Sequence, residues 1–314
     1  MCLHGIYGDF HLAFFDALCY TYHVIILFVE GIDMKLIQAN AQLYIPDGAP
    51  APAALSRTTD LCIAAHQDDI EIMAYAPIVQ CYGSAERWFA GVTVTDGGGA
   101  PRSGIYADYT NEDMMRVRAE EQKMAAAIGR YAAQFLLDYP SSAVKKPDNP
   151  TLINELKDII LACAPETIYT HNLADKHDTH VAVTLNVIRA LRLIPPELRP
   201  KKMISMEVWR GLDWLCDEDK LPLDTGAHPN LAAALLGVYD SQIAGGKRYD
   251  LATVGRRLAN ATFFESHGVD EADSIAFGLD ITALIENDMD PATFINGHIQ
   301  KFKDEINGRI GKLS

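Results

Sequence analysis

From residue 60 onward, short apolar runs alternate with longer segments of helical periodicity, and no other feature constrains the fold of this chain as much. The runs LCIAA (61–65), RWFAGVTVTDGGG (87–99, a strand entering a glycine-rich loop), AQFLLDY (133–139), ETIYTH (166–171) and KMISMEVW (202–209) read as strands. Segments 69–82, 111–129, 149–164 and 179–193 read as helices between them. Gly129 closes the second helix, and Asn149 followed by Pro150 opens the third. Such alternation predicts an α/β, Rossmann-like fold, a mostly parallel sheet with helices on both faces. Residues 220–314 read as more helix and less strand, a cap on the same domain.

In an open sheet of this kind, ligands bind beyond the carboxyl ends of the strands. There the sequence delivers His66, Asp68 and Asp69 after the first run, then Thr95, Asp96 and Gly97 after the second. His171 and the loop NLADKHDTH follow the fourth. Two histidines and a carboxylate can hold a divalent metal while leaving positions open for water and substrate. His66, one of the adjacent aspartates and His180 make such a set. Neighbouring residues in a turn point in different directions, so the other aspartate is free to act as general base. His177, three residues before His180, falls on the same side of a helical first turn, where it can donate a proton or stabilise an oxyanion. Each motif alone has a plainer explanation: His-x-Asp-Asp as a helix cap, HDTH as a solvated loop. Their shared rim makes those explanations hard to sustain together.

Composition narrows the partners. A net charge of −15 with no basic run opposes nucleic acid. The cysteines at 2, 18, 62, 81, 163 and 216 form no CxxC pair and read as buried, reduced thiols of a cytoplasmic protein. Residues 10–29, FHLAFFDALCYTYHVIILFV, are apolar but carry His11, Asp16 and His23, with no basic flank before them and no small-residue cleavage site after. No membrane span is therefore expected. Residues 1–33 are expected to be an extension outside the core, and 34–314 a single domain.

The stretch AAHQDDIEI resembles the AHPDD signature of the PIG-L/LmbE-like metal-dependent deacetylases. VTVTDGGG is similar to that family's strand ending in Thr-x-Gly, RAEEQKMAAAIG to its Arg-x-x-Glu helix, HDTH to its second histidine pair and YDSQ (239–242) to its late Ser-Gln element. The resemblance spans roughly 60–245. It implies zinc (or another divalent metal such as iron) on His66, Asp69 and His180, Asp68 as general base, and His177 as electrophile or acid. It also implies a zinc-dependent deacetylase, removing acetyl from an N-acetylglucosamine-type substrate, a small amino-sugar conjugate. Homo-oligomerisation is left open. Arg118 matches a family arginine near the pocket, with surface pairing to Glu121 as the rival reading. Two positions depart from the family. Gln67 replaces a proline, and HDTH replaces His-Pro-Asp-His, so the carboxylate orienting His177 must be Asp178, Asp175 or neither.

Asp96 and Trp209 are further candidates for substrate contact, Trp209 and Trp214 by stacking on a sugar ring. The glycines at 97–99 read as a flexible rim loop, and His228 before Pro229 as a helix start. Two rival functions remain. One is a two-histidine, one-carboxylate iron oxygenase using His66, Asp68 and His180, usually built on a jelly roll. The other is a non-catalytic sugar- or nucleotide-binding module.

Overall fold

The computed structural model describes residues 35–264 and 267–314. Residues 1–33, expected as an extension, lie outside the described residues, and Leu36–Ser314 make one compact unit. Eight strands are present in the described residues: β1 (Gln42–Tyr44), β2 (Asp60–Ala64), β3 (Phe89–Thr95), β4 (Ala133–Tyr139), β5 (Thr167–His171), β6 (Lys202–Met206), β7 (Leu221–Asp224) and β8 (Ile275–Asp280). They form one sheet in the order β1-β4-β3-β2-β5-β6-β8-β7. The five strands expected from sequence, β2 to β6, are its parallel centre. Every residue of β2 and β3 is buried, as the unbroken apolar runs of a sheet covered on both faces require.

The helices used below are α1 (Asp69–Met73), α2 (Tyr75–Cys81), α3 (Asn111–Gly129), α4 (Pro150–Cys163), α5 (Asp178–Arg192), α6 (Pro229–Gly237), α7 (Tyr249–Thr262) and α8 (Pro291–Leu313). Their starts follow local chemistry. Asn149 Oδ1 accepts the Leu152 N–H at the head of α4 (3.2 Å), and Thr110 and Asp113 close a reciprocal capping box on α3.

Two expectations change. The single helix over 69–82 is broken at Ala74 (φ −110°, ψ 23°). Pro77 explains this: it has no N–H to donate to the carbonyl four residues back, and its ring would clash there. The region after 220 is more than a helical cap. β8 pairs antiparallel with β6, and β7 pairs antiparallel with β8, so this region extends the sheet. β7 (LPLD) carries a proline, which only an edge strand tolerates.

The connections place the site. From β2 the chain builds outward through β3 to β4, then crosses back so that β5 lies on the other side of β2. The carboxyl ends of β2 and β5 therefore diverge at the switch point, where a crevice opens. The four described cysteines, Cys62, Cys81, Cys163 and Cys216, are buried and free. Among the described residues, no helix is long and apolar enough to cross a membrane.

Candidate active site

The turn after β2 is held tightly. Asp68 has a φ of 86°, a region L-residues seldom occupy, and α1 begins at the next residue. Three donors converge on the carboxylate of buried Glu71 in α1: Tyr239 Oη (2.6 Å), Tyr131 Oη (2.7 Å) and Gln122 Nε2 (3.0 Å). Buried Arg257 donates to the Glu71 and Ile72 carbonyls at 2.8 and 3.0 Å, satisfying the open end of this short helix. Gln67, where the family pattern has proline, bridges instead to the end of β3 by donating from Nε2 to Thr95 O (3.2 Å). Gly97, at φ +74°, leaves room for that side chain: a Cβ there would lie 2.3 Å from Gln67 Oε1.

On this frame, His66 Nδ1, Asp69 Oδ2 and His180 Nε2 meet. Their separations are 3.1 Å (His66–Asp69), 3.2 Å (His66–His180) and 3.3 Å (His180–Asp69). Ligands bound to a tetrahedral zinc at ~2.0–2.1 Å stand about 3.3–3.4 Å apart, so the triangle fits a divalent ion without rearrangement. Two wider sets, His66/His177/His180 and Asp69/His171/His180, have donor atoms within 4.8 Å of one another. In the second, His171 Nε2 already accepts the Ala65 N–H at 2.8 Å, so its lone pair is engaged.

Asp175 organises the far side. Its Oδ2 accepts from Trp209 N (3.2 Å) and faces His180 Nδ1 (3.4 Å), while Oδ1 accepts the His177 N–H (3.0 Å). A carboxylate can only accept, so the His180 Nδ1 proton points at Asp175 and Nε2 is presented to Asp69 and His66. Asp178 is exposed and makes none of these bonds; Asp175 holds the His177 backbone and faces the His180 ring, and among the described residues no carboxylate hydrogen-bonds His177 Nδ1. His171, buried and stacked on His180 at 3.9 Å between ring centroids, supports it from behind.

Charge states follow from burial and neighbours. Burial pulls His177 down to about 4, helped by His180 and His66, so it is neutral at neutral pH. Burial drives Asp68 well above the usual carboxylate range, and the Asp69 and Glu71 carboxylates add to this against the pull of Arg118. Burial acts the same way on Asp69, but His180 and His171 outweigh it and hold Asp69 well below that range. Burial lowers His180 too, yet Asp69 and Asp175 carry it up to about 9.

The cavity in front of this cluster has a volume of about 420 Å³ and includes His66, Asp68, Asp69, Arg118, His177 and Trp209 in its wall. Arg118 does not pair with Glu121 on a helix surface. It is buried, donates to Gln67 O (2.7 Å) and lies 3.4 Å from Asp68 Oδ2, while Glu121 takes both donors of Ser241. Asp96 is not part of the cavity wall; its Oδ1 accepts the Gly98 N–H (3.0 Å) and shapes the glycine loop. His228 starts α6. Gln242 of the YDSQ element faces the cavity, as do Lys145, Lys247 and Tyr249. The last three come from loops and helix starts that carry no motif, and sequence reading passed over them.

Residues 61–191 match the family model PIG-L, GlcNAc-PI de-N-acetylase. The resemblance carried by the two histidine motifs therefore holds over the segment that contains both. Comparison with curated proteins found no match. Among solved structures, the chain is similar to N,N'-diacetylchitobiose deacetylase from Pyrococcus horikoshii, at TM-score 0.55 and 14% identity, over 88% of this chain and 94% of that one. It is similar to the A40926 pseudoaglycone deacetylase Dbv21, at TM-score 0.51 and 16% identity, over 71% and 97%. It is also similar to GalB, the 4-carboxy-2-hydroxymuconate hydratase of Pseudomonas putida KT2440, at TM-score 0.56 and 15% identity, over 71% and 96%. These likenesses establish the α/β fold. Because a hydratase shares it with deacetylases, the reaction must be argued from the site.

Proposed function

We propose that the protein is a metal-dependent deacetylase acting on an N-acetylglucosamine-type substrate. The observation that carries this reading is the triangle of His66 Nδ1, Asp69 Oδ2 and His180 Nε2, with Asp68 and His177 facing the same cavity. These three residues would hold the ion; two imidazoles and one carboxylate suit zinc, and also iron. When bound, such an ion supplies Lewis acidity toward a carbonyl oxygen and lowers the pKa of a water molecule.

The remaining chemistry belongs to the chain's own side chains. Asp68, its proton affinity raised by burial, accepts a proton from the attacking water. Arg118, 3.4 Å from Asp68 Oδ2, fixes the direction of that carboxylate, and its charge opposes the upward push of burial. His177, neutral at neutral pH, offers a ring N–H to the oxyanion as the amide carbonyl becomes tetrahedral. The proton collected by Asp68 then leaves with the departing amine. Asp175 holds His180 and the backbone of His177 in one frame, so ligand and oxyanion donor keep a fixed relation.

An iron oxygenase built on His66, Asp68 and His180 has less support. Asp68 is turned to Arg118, the neighbouring Asp69 completes the triangle, and the sheet is α/β rather than a jelly roll. The test is acetate release from N-acetylglucosamine conjugates by the zinc-loaded and metal-stripped protein. Release that depends on zinc supports the proposal; no release from any conjugate by a protein with stoichiometric zinc overturns it.

A further inference from the structure

α7 is turned inside out. The face it buries carries Thr253, Arg257 and Asn260, with one small apolar residue, Ala261. The face it exposes carries Leu251, Val254 and Leu258 at three- and four-residue spacing, with Ala252, Gly255 and Ala259 beside them. Its charged residues, Asp250, Arg256 and Arg257, are half-buried or buried. The inward polar groups are used: Arg257 donates to two carbonyls of α1, and Asn260 Nδ2 donates to Glu207 and to the Ile275 carbonyl of β8. Nothing in that accounts for the outward face. A surface helix ordinarily turns its apolar stripe to the core and its charges to water. The reverse arrangement marks a face that another surface covers.

A second such face belongs to α8. Every residue of this helix is exposed or half-buried. Ile299, Phe302, Ile306, Ile310 and Leu313, all exposed, recur every three or four residues, the narrow seam of a helix that packs on another helix. α8 is tied to the body near its start, where His298 Nδ1 and Lys301 Nζ reach Asp219 at 3.0 and 2.8 Å. Beyond Lys301 it contains Gly308 and Gly311, each costing about 1 kcal/mol relative to alanine in a helix interior. Most helices in proteins offset such costs by packing an apolar face, and this seam has no surface against it. The two faces are neighbours. The turn at 217–220 holds α8 through Asp219, while Lys220 Nζ stands 6.0 Å from the centre of the Phe264 ring, just past the end of α7. Lys220 also shares the wall of a cavity of about 380 Å³ with Arg256, Ala259 and Phe263.

We propose that two copies of this chain associate about a two-fold axis, α8 of each copy lying on α7 of the other. A two-fold interface must be self-complementary, and here one chain carries both halves. The α8 seam is bulky; the α7 face has small residues beside its larger ones, and a Cβ placed on Gly255 would have nothing within 4 Å, so a second helix can approach closely. Charge points the same way. Two copies at −15 each repel, so contact must run through faces free of negative charge. The α7 face is uncharged, and α8 carries +2, from Lys301, Lys303, Arg309 and Lys312 against Asp304 and Glu305. Each face is roughly 20 Å by 10 Å from helix geometry. A reciprocal contact uses two faces per copy, whereas a single one would fall well short of the ~800 Å² per partner that a stable dimer buries. The proposal does not depend on the deacetylase reading.

The test is sedimentation equilibrium of the full chain at micromolar concentration. Wild type should be dimeric. Leu258→Asp and Phe302→Asp each place an unpaired charge in both halves of the interface, and each should weaken dimerisation at least about a hundredfold. An equimolar mixture of the two variants should associate again, because in the mixed dimer both substitutions fall in one half and the other half is wild-type. Melting curves and zinc binding check that the variants fold; Val254→Asp and Ile306→Asp replace either one that does not. A monomeric wild type overturns the proposal, as does a dimer that persists in both variants. Loss of the dimer in one variant alone overturns it too, since that helix would then pair with itself. So does a mixture that stays monomeric, and so does a monomer that binds anionic phospholipid vesicles through these residues, which would assign the faces to a membrane.

Discussion

Replacing Asp175 tests whether one buried carboxylate holds the site together. In Asp175→Asn the amide oxygen can occupy only one of the two carboxylate positions. The Oδ2 position faces two donors, His180 Nδ1 at 3.4 Å and Trp209 N at 3.2 Å, so the oxygen should settle there. The amide NH₂ then confronts the His177 N–H, which loses its 3.0 Å acceptor. Leaving such a buried N–H unpaired costs about 1–3 kcal/mol, which lowers the melting temperature by several degrees. The negative charge beside His180 also disappears, making its Nε2 a weaker donor. Loss of a group that orients a metal ligand usually costs ~10–100-fold in metal affinity. Asp175→Asn, which keeps one acceptor toward His180, belongs near tenfold. Asp175→Ala, which removes every acceptor, belongs near a hundredfold. Competition for zinc against a chelating dye gives the affinities, and thermal denaturation of the metal-free proteins isolates the structural cost. Wild-type zinc affinity in a folded Asp175→Ala protein would refute the reasoning, because His180 would then need no orienting carboxylate.

The adjacent aspartates should fail differently. Asp69→Asn should weaken metal binding, whereas Asp68→Asn should keep the metal and lose about 10²–10⁴-fold in kcat, measured by metal analysis beside acetate-release kinetics. Stripping the metal with a chelator should abolish acetate release and lower the melting temperature, since a ligand at 100 times its Kd adds about 2.7 kcal/mol; zinc should restore both. Gly97→Ala should destabilise by about 1–2 kcal/mol or more, because φ is +74° and the new Cβ would meet Gln67 Oε1 at 2.3 Å; an unchanged melting curve would contradict the bridging role of Gln67. The last prediction concerns pH. Burial raises Asp219, but its bonds to Lys301 and His298 on α8 outweigh this and hold it below the ordinary carboxylate value of 3.8. A carboxyl lowered on folding stabilises fully above its unfolded pKa and loses that contribution as pH falls through the folded one. Protection factors in α8, that is exchange corrected for the intrinsic rate at each pH, should therefore fall below about pH 4 in the native protein, and Asp219→Asn should flatten that dependence.

The parallel centre of the sheet was legible from sequence because strands buried on both faces read as unbroken apolar runs. Its rim was legible because a strand order that reverses needs a crevice at the carboxyl ends. His66, Asp69, His177 and His180 could therefore be named before any coordinates. Other features depended on distant neighbours. β1 has three residues and β7 a proline, too little pattern to signal a strand; each forms by pairing with a partner far along the chain. Residue type and spacing offer Asp68 and Asp69 as equals, and the family resemblance alone separated them; in the fold, the turn at φ 86° sends one to Arg118 and the other to the histidines. Asp178 stands nearer His177 in the chain, but the start of α5 exposes it, while Asp175 lies inward beneath Trp209. Lys145 and Lys247 share a cavity although 102 residues separate them, because the crossover at β5 folds both loops over the same strand ends. Local sequence carries periodicity and the identity of reactive groups; which group faces which is set by chain crossings and the burial they impose, and those exist only in the folded molecule.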